Sequence, residues 1–265
     1  MTIVHNKSIL LEPFFQPIIN VKSGLIAYNE VLARRKNNQG EYLSAGAIFS
    51  SSKLSLDKIL SLDNQVRRKA FEKFKNHQGE AKLSVNISPA WFTQHAEQLK
   101  LKNYEIPTLT MLNDCGIDPS RIIIELTEYD GDIKLIRHFV DSYRDMGIKV
   151  AIDDFGTGFS QIDRLMEIEP DIIKLDMKLF QRTLVSDYAR DLVEAFASFT
   201  KKRGIELIFE GVETEQQYHV AVSSGAEFIQ GYLFSQAQAQ FYNDNHFVNH
   251  IKRLNNTFLE HKIAI

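Results

Sequence analysis

The sequence predicts an α/β fold, namely a modified (β/α)8 TIM-like barrel with an antiparallel first strand. Short runs rich in β-branched residues alternate with longer amphipathic segments along nearly the whole chain. Ser23-Gly24 joins the first two runs too tightly for a crossover helix, so these two strands should form an antiparallel hairpin. A doubly wound sheet shares the same alternation and is the alternative architecture.

Eight apolar runs are the candidate strands, as a barrel of this type requires. They are Phe14–Val21, Leu25–Arg34, Leu83–Ile87, Arg121–Leu126, Lys149–Ile152, Asp171–Leu175, Glu206–Phe209 and Ala226–Ile229. The clearest candidate helices between them are Leu56–Phe74, Ile133–Met146, Ser186–Arg203 and Glu215–Ser224. No linker interrupts this alternation, so we expect residues 1–265 to form one domain, with motifs over about 14–235 and a C-terminal helix over 236–265.

Composition limits the classes of function that the chain can have. Its 265 residues include 31 basic and 34 acidic ones, so binding to a nucleic-acid polymer through bulk positive charge is not expected. The single cysteine, Cys115, excludes an internal disulfide and a cysteine-rich zinc site. No apolar run approaches the roughly 20 residues that span a bilayer, and the N-terminus lacks the apolar region of a signal peptide. We therefore expect a cytoplasmic protein without direct membrane insertion.

Polar residues stand at or just after the ends of the candidate strands. They are Glu30, Asn86, Glu125, Glu128, Asp153, Asp154, Lys174, Asp176, Glu210, Glu213 and Gln230. In a barrel the C-terminal ends of the parallel strands meet at one mouth, so these side chains would converge there. An acid after a strand could instead cap the next helix. Glu30, Glu125 and Glu210 favour a site, because each lies within an apolar run where an unpaired carboxylate is costly to bury.

Mutual repulsion indicates what such a site needs. The acids concerned are Glu30, Glu125, Asp153, Asp154 and Glu210. They cannot all remain ionised together without compensating positive charge, of which Lys174 and Arg34 supply only part. Divalent cations would supply the rest, and an oxygen-only ligand set with Asn86 favours Mg²⁺ or Mn²⁺ over Zn²⁺. The tandem Asp153-Asp154 could bridge two ions, so the pattern indicates metal-dependent phosphodiester hydrolysis.

Seven motifs in this order resemble the EAL domain family, the cyclic di-GMP phosphodiesterases. They are Glu-Val-Leu-Ala-Arg (30–34), Val-Asn-Ile-Ser (85–88), Glu-Leu-Thr-Glu (125–128), Asp-Asp-Phe-Gly-Thr-Gly (153–158), Lys-Leu-Asp (174–176), Glu-Gly-Val-Glu-Thr (210–214) and Gln-Gly-Tyr (230–232). The family's fold, a modified (β/α)8 barrel with one antiparallel strand, agrees with the predicted hairpin. Four features depart from the family: Val31 for alanine, Phe159 for the usual tyrosine, 235–237 in place of Gly-x-Pro, and 36–57, which normally helps to build the guanine-binding side.

The resemblance implies two metal ions, Mg²⁺ or Mn²⁺, and a water that attacks phosphorus in line to give linear pGpG. The ligands of the first ion would be Glu30, Asn86, Glu125 and Asp153, and those of the second Asp153, Asp154 and Glu210. Lys174 would orient the nucleophile, Glu210 would act as general base, and Gln230 would position water or metal ligands.

The resemblance also implies roles around this centre and a partner. Arg34 would contact phosphate, while Gln16 and Leu32 would line the substrate groove. The residues that would support the loop 153–160 and the ligands are Glu128, Asp176 and Glu213. The expected ligand is cyclic di-GMP and the expected assembly a homodimer. Two alternatives are a catalytically silent EAL domain, acting as a cyclic di-GMP receptor or protein-interaction module, and a phosphodiesterase for another substrate on the same fold.

Overall fold

The computed structural model describes residues 9–95, 98, 101, 104–127, 133–156 and 161–263. Its strands are β1 (Leu11–Asn20), β2 (Ile26–Lys36), β3 (Tyr42–Ser44), β4 (Lys82–Ile87), β5 (Ile122–Leu126), β6 (Lys149–Phe155), β7 (Ile172–Leu175), β8 (Glu206–Phe209) and β9 (Phe228–Ile229). Its helices are α1 (Gly46–Phe49), α2 (Leu56–Phe74), α3 (Pro89–His95), α4 (Pro107–Cys115), α5 (Ile133–Arg144), α6 (Gln161–Ile168), α7 (Met177–Thr183), α8 (Asp187–Arg203), α9 (Glu215–Ser223) and α10 (Val248–Ile263). No helix within these ranges is long and apolar enough to cross a bilayer.

Eight strands close into a barrel in the order β1-β9-β8-β7-β6-β5-β4-β2, and β2 pairs back with β1. β1 is antiparallel to both of its neighbours, β2 and β9. The remaining neighbours in the wall are parallel pairs. The predicted barrel with an antiparallel first strand is confirmed. The doubly wound alternative is wrong, because β1 pairs with both β2 and β9 and so closes the sheet into a barrel.

The β1–β2 hairpin is longer than the sequence predicts. β1 begins at Leu11 and β2 continues to Lys36, with Leu11 opposite Arg35 in the ladder. β3 then adds to the far end of β2 outside the barrel wall, pairing Tyr42 with Lys36. The hairpin therefore forms a small sheet that projects beyond the mouth of the barrel.

Helix boundaries follow local capping where the sequence provides it. α2 has the predicted bounds, because the hydroxyl of Ser55 accepts a hydrogen bond from the backbone N–H of Lys58 at 3.3 Å. The C-terminal helix was expected from residue 236, but α10 begins at Val248. Residues 236–247 instead contain turns, and the backbone of Gln238 bridges to Phe15 of β1.

Two apolar layers hold the barrel. The larger lies between the strands and the surrounding helices and includes Trp91, Phe139 and Phe180. The smaller fills the barrel interior below the mouth and consists of Ile18, Tyr28, Ile123, Ala151, Ile172, Ile208 and Phe228. Side chains on one face of a strand recur every second residue, so the next inward-facing position on each strand lies above this interior layer.

Candidate active site

The polar residues at the mouth occupy that next inward-facing position. Each of them lies two residues from a member of the interior layer. The polar residue and its apolar neighbour are Gln16 and Ile18, Glu30 and Tyr28, Glu125 and Ile123, Asp153 and Ala151, Lys174 and Ile172, Glu210 and Ile208, and Gln230 and Phe228. On β4, Asn86 stands two residues beyond the buried Ser84. Strand alternation in a closed barrel thus brings side chains from eight strands to one place.

Lys174 lies among four carboxylates. Its Nζ atom is 2.8 Å from Glu210 Oε1, 2.9 Å from Asp153 Oδ1, 3.0 Å from Glu125 Oε2 and 3.3 Å from Glu30 Oε2. Burial alone would lower the pKa of Lys174, but these carboxylates together raise it well above its usual value. The ammonium group therefore stays charged and neutralises part of the acidic cluster.

The acids themselves are hard to ionise together. Burial raises the pKa of Glu125 well above its usual value; Lys174 opposes this shift, and Glu30 and Asp153 reinforce it. Burial likewise raises the pKa of Glu210 to about 8, against the opposing effect of Lys174. Burial and the neighbouring charge of Asp153 raise the pKa of Asp154 to about 6. One ammonium group is thus too little positive charge for this cluster.

The cluster contains two groups of carboxylates that suit divalent cations. In each group one oxygen per residue lies within 4.8 Å of the others. The groups are Glu30 with Glu125 and Asp153, and Asp153 with Asp154 and Glu210. Oxygen donors of this kind suit Mg²⁺ and Mn²⁺, and a carboxylate shared between two groups is typical of two-metal sites. The residues present therefore fit the ions that the sequence predicts.

A β-bulge brings Asp154 to the mouth. Consecutive residues in a regular strand point to opposite faces, so Asp153 and Asp154 would not normally face the same site. The pairing of β6 with β7 shifts register between Ile152 and Phe155, and Asp154 has a left-handed φ of 53°. The bulge re-aims the second carboxylate toward Glu210, as bulges beside active sites commonly do. Aspartate tolerates this conformation better than most residues.

Amide and hydroxyl groups fix the orientation of the carboxylates. Gln230 Nε2 donates to Glu30 Oε2 at 2.6 Å, and Asn86 Nδ2 donates to Glu30 Oε1 at 3.4 Å. The hydroxyl of Ser84 donates to Glu125. Gln230 Oε1 is buried and accepts no hydrogen bond from the described residues, so it can accept one from a bound water or ligate an ion.

A cavity of about 500 Å³ opens beside the carboxylates, a size typical of small-molecule sites. Leu32 and Arg34 line it together with Glu30, Asp153 and Asp154. Burial lowers the pKa of Arg34, while nearby Tyr232 and Glu30 oppose that shift. Arg34 thus stands at the groove predicted for substrate. Gln16 lies opposite Glu30 in the ladder, and its Nε2 atom donates to the backbone carbonyl of Ser235 at 3.2 Å.

A buried ionic network in the wall of the cavity is absent from the sequence prediction. Arg67 Nη2 is 2.9 Å from Asp63 Oδ2, which also accepts a hydrogen bond from the Ser88 hydroxyl at 3.1 Å. Arg67 also donates to Thr108 Oγ1 and to the backbone carbonyl of Asn86. The network ties α2 to the end of β4 and holds Asn86 in place. In the sequence the network is indicated by Asp63 and Arg67, an acid and a base four residues apart on the apolar face of the predicted helix.

Of the three residues predicted to support the loop and the ligands, the structure describes two, Asp176 and Glu213. Glu128, with the loop residues 157–160, lies outside the described residues. Asp176 begins α7, because its Oδ1 atom accepts a hydrogen bond from the backbone N–H of Lys178 at 2.7 Å. Glu213 is exposed and directly precedes Thr214, whose side chain caps α9. The contacts of Asp176 and Glu213 are therefore those of helix starts.

The fold and the cluster of acids define a modified (β/α)8 barrel protein with an acidic site suited to divalent cations. A family model described as EAL domain matches residues 4–237, so the chain belongs to the EAL domain family.

Three relatives illustrate the similarity. An EAL-domain containing protein of Bacillus subtilis, YkuI, is 26% identical over 94% of this chain and 63% of its own length. Its crystal structure, in complex with substrate c-di-GMP and calcium, matches with a TM-score of 0.83 at 24% identity, over 96% of this chain and 62% of that one. Cyclic di-GMP phosphodiesterase PdeL of Escherichia coli is 26% identical over 84% of this chain and 61% of its own.

A manganese and cyclic di-GMP complex of Klebsiella pneumoniae BlrP1 is 25% identical, with a TM-score of 0.74, over 88% of this chain and 57% of that one. The chain thus spans less than two thirds of the length of these relatives.

Proposed function

We propose that the protein hydrolyses cyclic di-GMP to linear pGpG with Mg²⁺ or Mn²⁺, and so lowers the level of a bacterial second messenger in the cytoplasm. The observation that carries the proposal is the pair of carboxylate groups that share Asp153 around Lys174. The side chains that the proposal takes as ligands lie close together, which supports it: Glu30, Asn86, Glu125, Asp153, Asp154 and Glu210. Similarity to PdeL, a cyclic di-GMP phosphodiesterase, and to BlrP1, whose structure is a complex with manganese and cyclic di-GMP, supports the same substrate and metal chemistry.

The proposed mechanism assigns each step to a residue of this chain. Two bound ions would supply the positive charge that makes a water nucleophilic near neutral pH and that neutralises the phosphate. Glu210 would accept the proton of the attacking water, because its carboxylate lies in the cluster, 2.8 Å from Lys174 Nζ, and bound cations would favour its ionised form. Lys174 donates hydrogen bonds that orient the nucleophile, and Arg34 binds a phosphate oxygen. A P–O bond forms to the oxygen of the water while the P–O3′ bond breaks, and the leaving 3′ oxygen takes up a proton to become a hydroxyl. This opens the ring to linear pGpG.

The first experiment incubates the purified protein with cyclic di-GMP and Mg²⁺ or Mn²⁺ and follows pGpG by chromatography. The matched variant is Glu30→Ala, which removes a ligand of the proposed first ion without a large change in packing. We expect metal-dependent pGpG production by the native chain and a loss of at least about 100-fold in the variant, because residues that only support metal ligands already cost about 10–100-fold when changed.

Two results would contradict the proposal. Measurable binding of cyclic di-GMP without any product would favour the catalytically silent receptor, with Val31 and the segment 36–57 as the first regions to alter. Hydrolysis of other cyclic dinucleotides in preference to cyclic di-GMP would favour the same reaction on another substrate.

We also propose that the protein is a homodimer. A groove between α6 and α8 exposes apolar side chains, among them Ile162 and Met166 of α6 and Phe199 of α8. Tyr188 and Leu192 continue the same side of α8 and are 82% and 55% exposed. An apolar patch of this extent marks an interaction surface. We propose that a second copy of this chain covers this groove, because α6 directly follows the loop that begins at Asp153. An interface there would lie next to the site.

A further inference from the structure

The ionic network of α2 contacts the end of β4, which carries Asn86. Arg67 is 2% exposed, and its guanidinium group donates hydrogen bonds to three elements. Its Nη2 atom is 2.9 Å from Asp63 Oδ2 of α2 and 3.5 Å from the backbone carbonyl oxygen of Asn86, and its Nη1 atom is 3.2 Å from Thr108 Oγ1 of α4. A guanidinium group stays charged in proteins, so its burial requires acceptors in fixed directions. Arg67 thus joins two helices to the strand end.

Asn86 lies where β4 leaves one of its two neighbours. The ladder between β2 and β4 ends at the pair Glu30 and Ser84, two residues before Asn86, while the ladder between β4 and β5 continues past it. Ser88 follows, and its hydroxyl donates a hydrogen bond to Asp63 Oδ2 at 3.1 Å. The ion pair of α2 therefore binds this strand end beyond the point where its ladder with β2 stops.

We propose that Arg67 is a positioning residue for the first ion and that it sets the affinity for that ion by fixing the backbone at Asn86. Asn86 Nδ2 lies 3.4 Å from Oε1 of Glu30, a member of the first group of carboxylates. This inference rests on the proposed metal-dependent hydrolysis and adds a residue that determines metal affinity. The seven sequence motifs all lie outside α2, so no motif assigns Arg67 a role.

α2 is also fixed to the hairpin that carries Glu30. Lys69 Nζ is 2.7 Å from Glu12 Oε1 and donates to the backbone carbonyl of Leu11 at 3.0 Å. Both partners belong to β1, which pairs with β2. One helix therefore contacts the hairpin through Lys69 and β4 through Arg67, and so fixes the two strands relative to each other. Metal–ligand distances vary by only about 0.2 Å, so a small shift between these strands would weaken the binding of the ion.

The contacts of Arg67 need the shape of its side chain as well as its charge. The planar guanidinium presents donors to several acceptors at once, whereas the ammonium group of a lysine is a compact point charge. Arg67→Lys would therefore keep a charge beside Asp63 and lose the simultaneous contacts of the guanidinium with α4 and β4. It also avoids an unpaired carboxylate in the interior, which a neutral residue at position 67 would leave and which would destabilise the fold.

The test is a double-mutant cycle of Arg67→Lys with Asn86→Ala, and its readout is the Kd for Mn²⁺ from calorimetric titration without nucleotide. Arg67→Lys should raise the Kd of one ion about tenfold. Asn86→Ala should weaken the binding of the same ion, and the double variant should bind it no more weakly than Asn86→Ala alone, because Arg67 acts through Asn86. The control is Arg68→Lys, the next residue of α2, whose side chain is 48% exposed. It should keep the native Kd values.

An unchanged Mn²⁺ Kd in Arg67→Lys would overturn the inference. A double variant whose loss of affinity is the product of the two single losses would overturn it as well, because a general effect on folding does not depend on Asn86. If Arg67→Lys does not fold in a urea titration, Arg67→Met combined with Asp63→Asn takes its place in the cycle, because this pair removes both buried charges together.

Failure of this inference and failure of the proposed function give different results, because Mn²⁺ binding is measured without hydrolysis. Weaker binding in Arg67→Lys, with no pGpG produced by the native chain, would support the role of Arg67 and contradict the proposed hydrolysis. Unchanged binding in Arg67→Lys, with a native chain that is active, would do the reverse. A native chain that binds no Mn²⁺ would overturn both.

Discussion

The charges of Lys174 and of the acids around it depend on each other. The ammonium group is fully buried and stays protonated because Asp153, Glu125, Glu210 and Glu30 surround it. The carboxylates outnumber it, so burial and mutual repulsion keep the pKa values of Glu125 and Glu210 above the usual range. In the absence of ions the folded protein is thus expected to hold protons at this site that the unfolded chain would release.

This excess of protons predicts how stability changes with pH in the metal-free protein. The pKa of Glu210 is about 8 in the folded chain against 4.5 in the unfolded one. Its stabilising contribution is therefore complete below about pH 4.5 and is lost as the pH rises through 8. We expect the free energy of unfolding, measured with urea in EDTA, to fall between pH 5 and 8, and Glu210→Gln to flatten that fall.

The control for this prediction is Glu194→Gln, because Glu194 is exposed on α8 and remote from the cluster. It should keep the native pH dependence. Saturating Mn²⁺ should also remove the fall, because bound cations favour the ionised carboxylates. A Glu210→Gln profile parallel to that of the native chain would show that Glu210 does not bind the excess protons.

At the scale of elements, the bulge in β6 decides whether the site can hold a second ion. It gives Asp154 a left-handed φ of 53° and so places its carboxylate beside Asp153 and Glu210. Asparagine accepts the same backbone conformation but carries no charge. We expect Asp154→Asn to bind one Mn²⁺ per chain where the native protein binds two, and to lose on the order of 100-fold in kcat. Metal analysis after equilibrium dialysis measures the first effect.

Glu169 provides the matched control for the backbone. It is the other described residue besides glycine with a left-handed φ, at 46°, and it lies between α6 and β7, away from the mouth. Glu169→Asn should therefore bind two ions and keep its activity. Two ions per chain in Asp154→Asn would contradict the assignment of Asp154 as a ligand.

Elements with a strong local signal were predictable from the sequence. α2 has both a regular apolar period and a serine cap, and its predicted bounds agree with the structure. β3 and α1 span only three and four residues. Their structure depends on contacts with the hairpin, so the local sequence does not predict them. The alternation that places polar residues at strand ends predicted the cluster correctly. The bulge at Asp154 was not predictable, because register depends on the neighbouring strand.

Buried polar contacts were the least visible in the sequence. The pair Asp63 and Arg67 lies on the inner face of α2, where composition alone suggests only a helix with charged residues. Which charges face inward follows from how the helix packs, and that depends on β4 and α4. The contacts of Arg67 with Asp63 and with the backbone of Asn86 are therefore known only from the structure.

At the scale of the whole molecule, the exposed groove between α6 and α8 predicts an assembly. Met166 is 70% exposed and Leu192 is 55% exposed, and both would be buried between two copies. Met166→Glu together with Leu192→Glu should place like charges in that interface. We expect the dimer dissociation constant from sedimentation equilibrium to rise roughly 30-fold or more, as for the loss of a central interface contact.

Leu10→Glu is the control, because Leu10 is also exposed, at 61%, but precedes β1 and lies far from the groove in sequence. It should leave the association unchanged. A native chain that sediments as a monomer at all concentrations would contradict the proposed dimer. A dimer that survives both glutamates would place the interface elsewhere.

The closure of the barrel by β1 against β9 has a consequence for how the protein is made. The first strand leaves the ribosome about 200 residues before its second partner, and Ile19 can pair with Ile229 only after residue 229 has been synthesised. The hydrogen bond from Gln230 to Glu30 joins segments that are equally far apart in the sequence. A nascent or truncated chain that stops before residue 228 would keep an open sheet edge and an unfinished acidic pocket. The acidic pocket is therefore completed only after residue 230 has been synthesised, and chains that stop before it would be prone to aggregate.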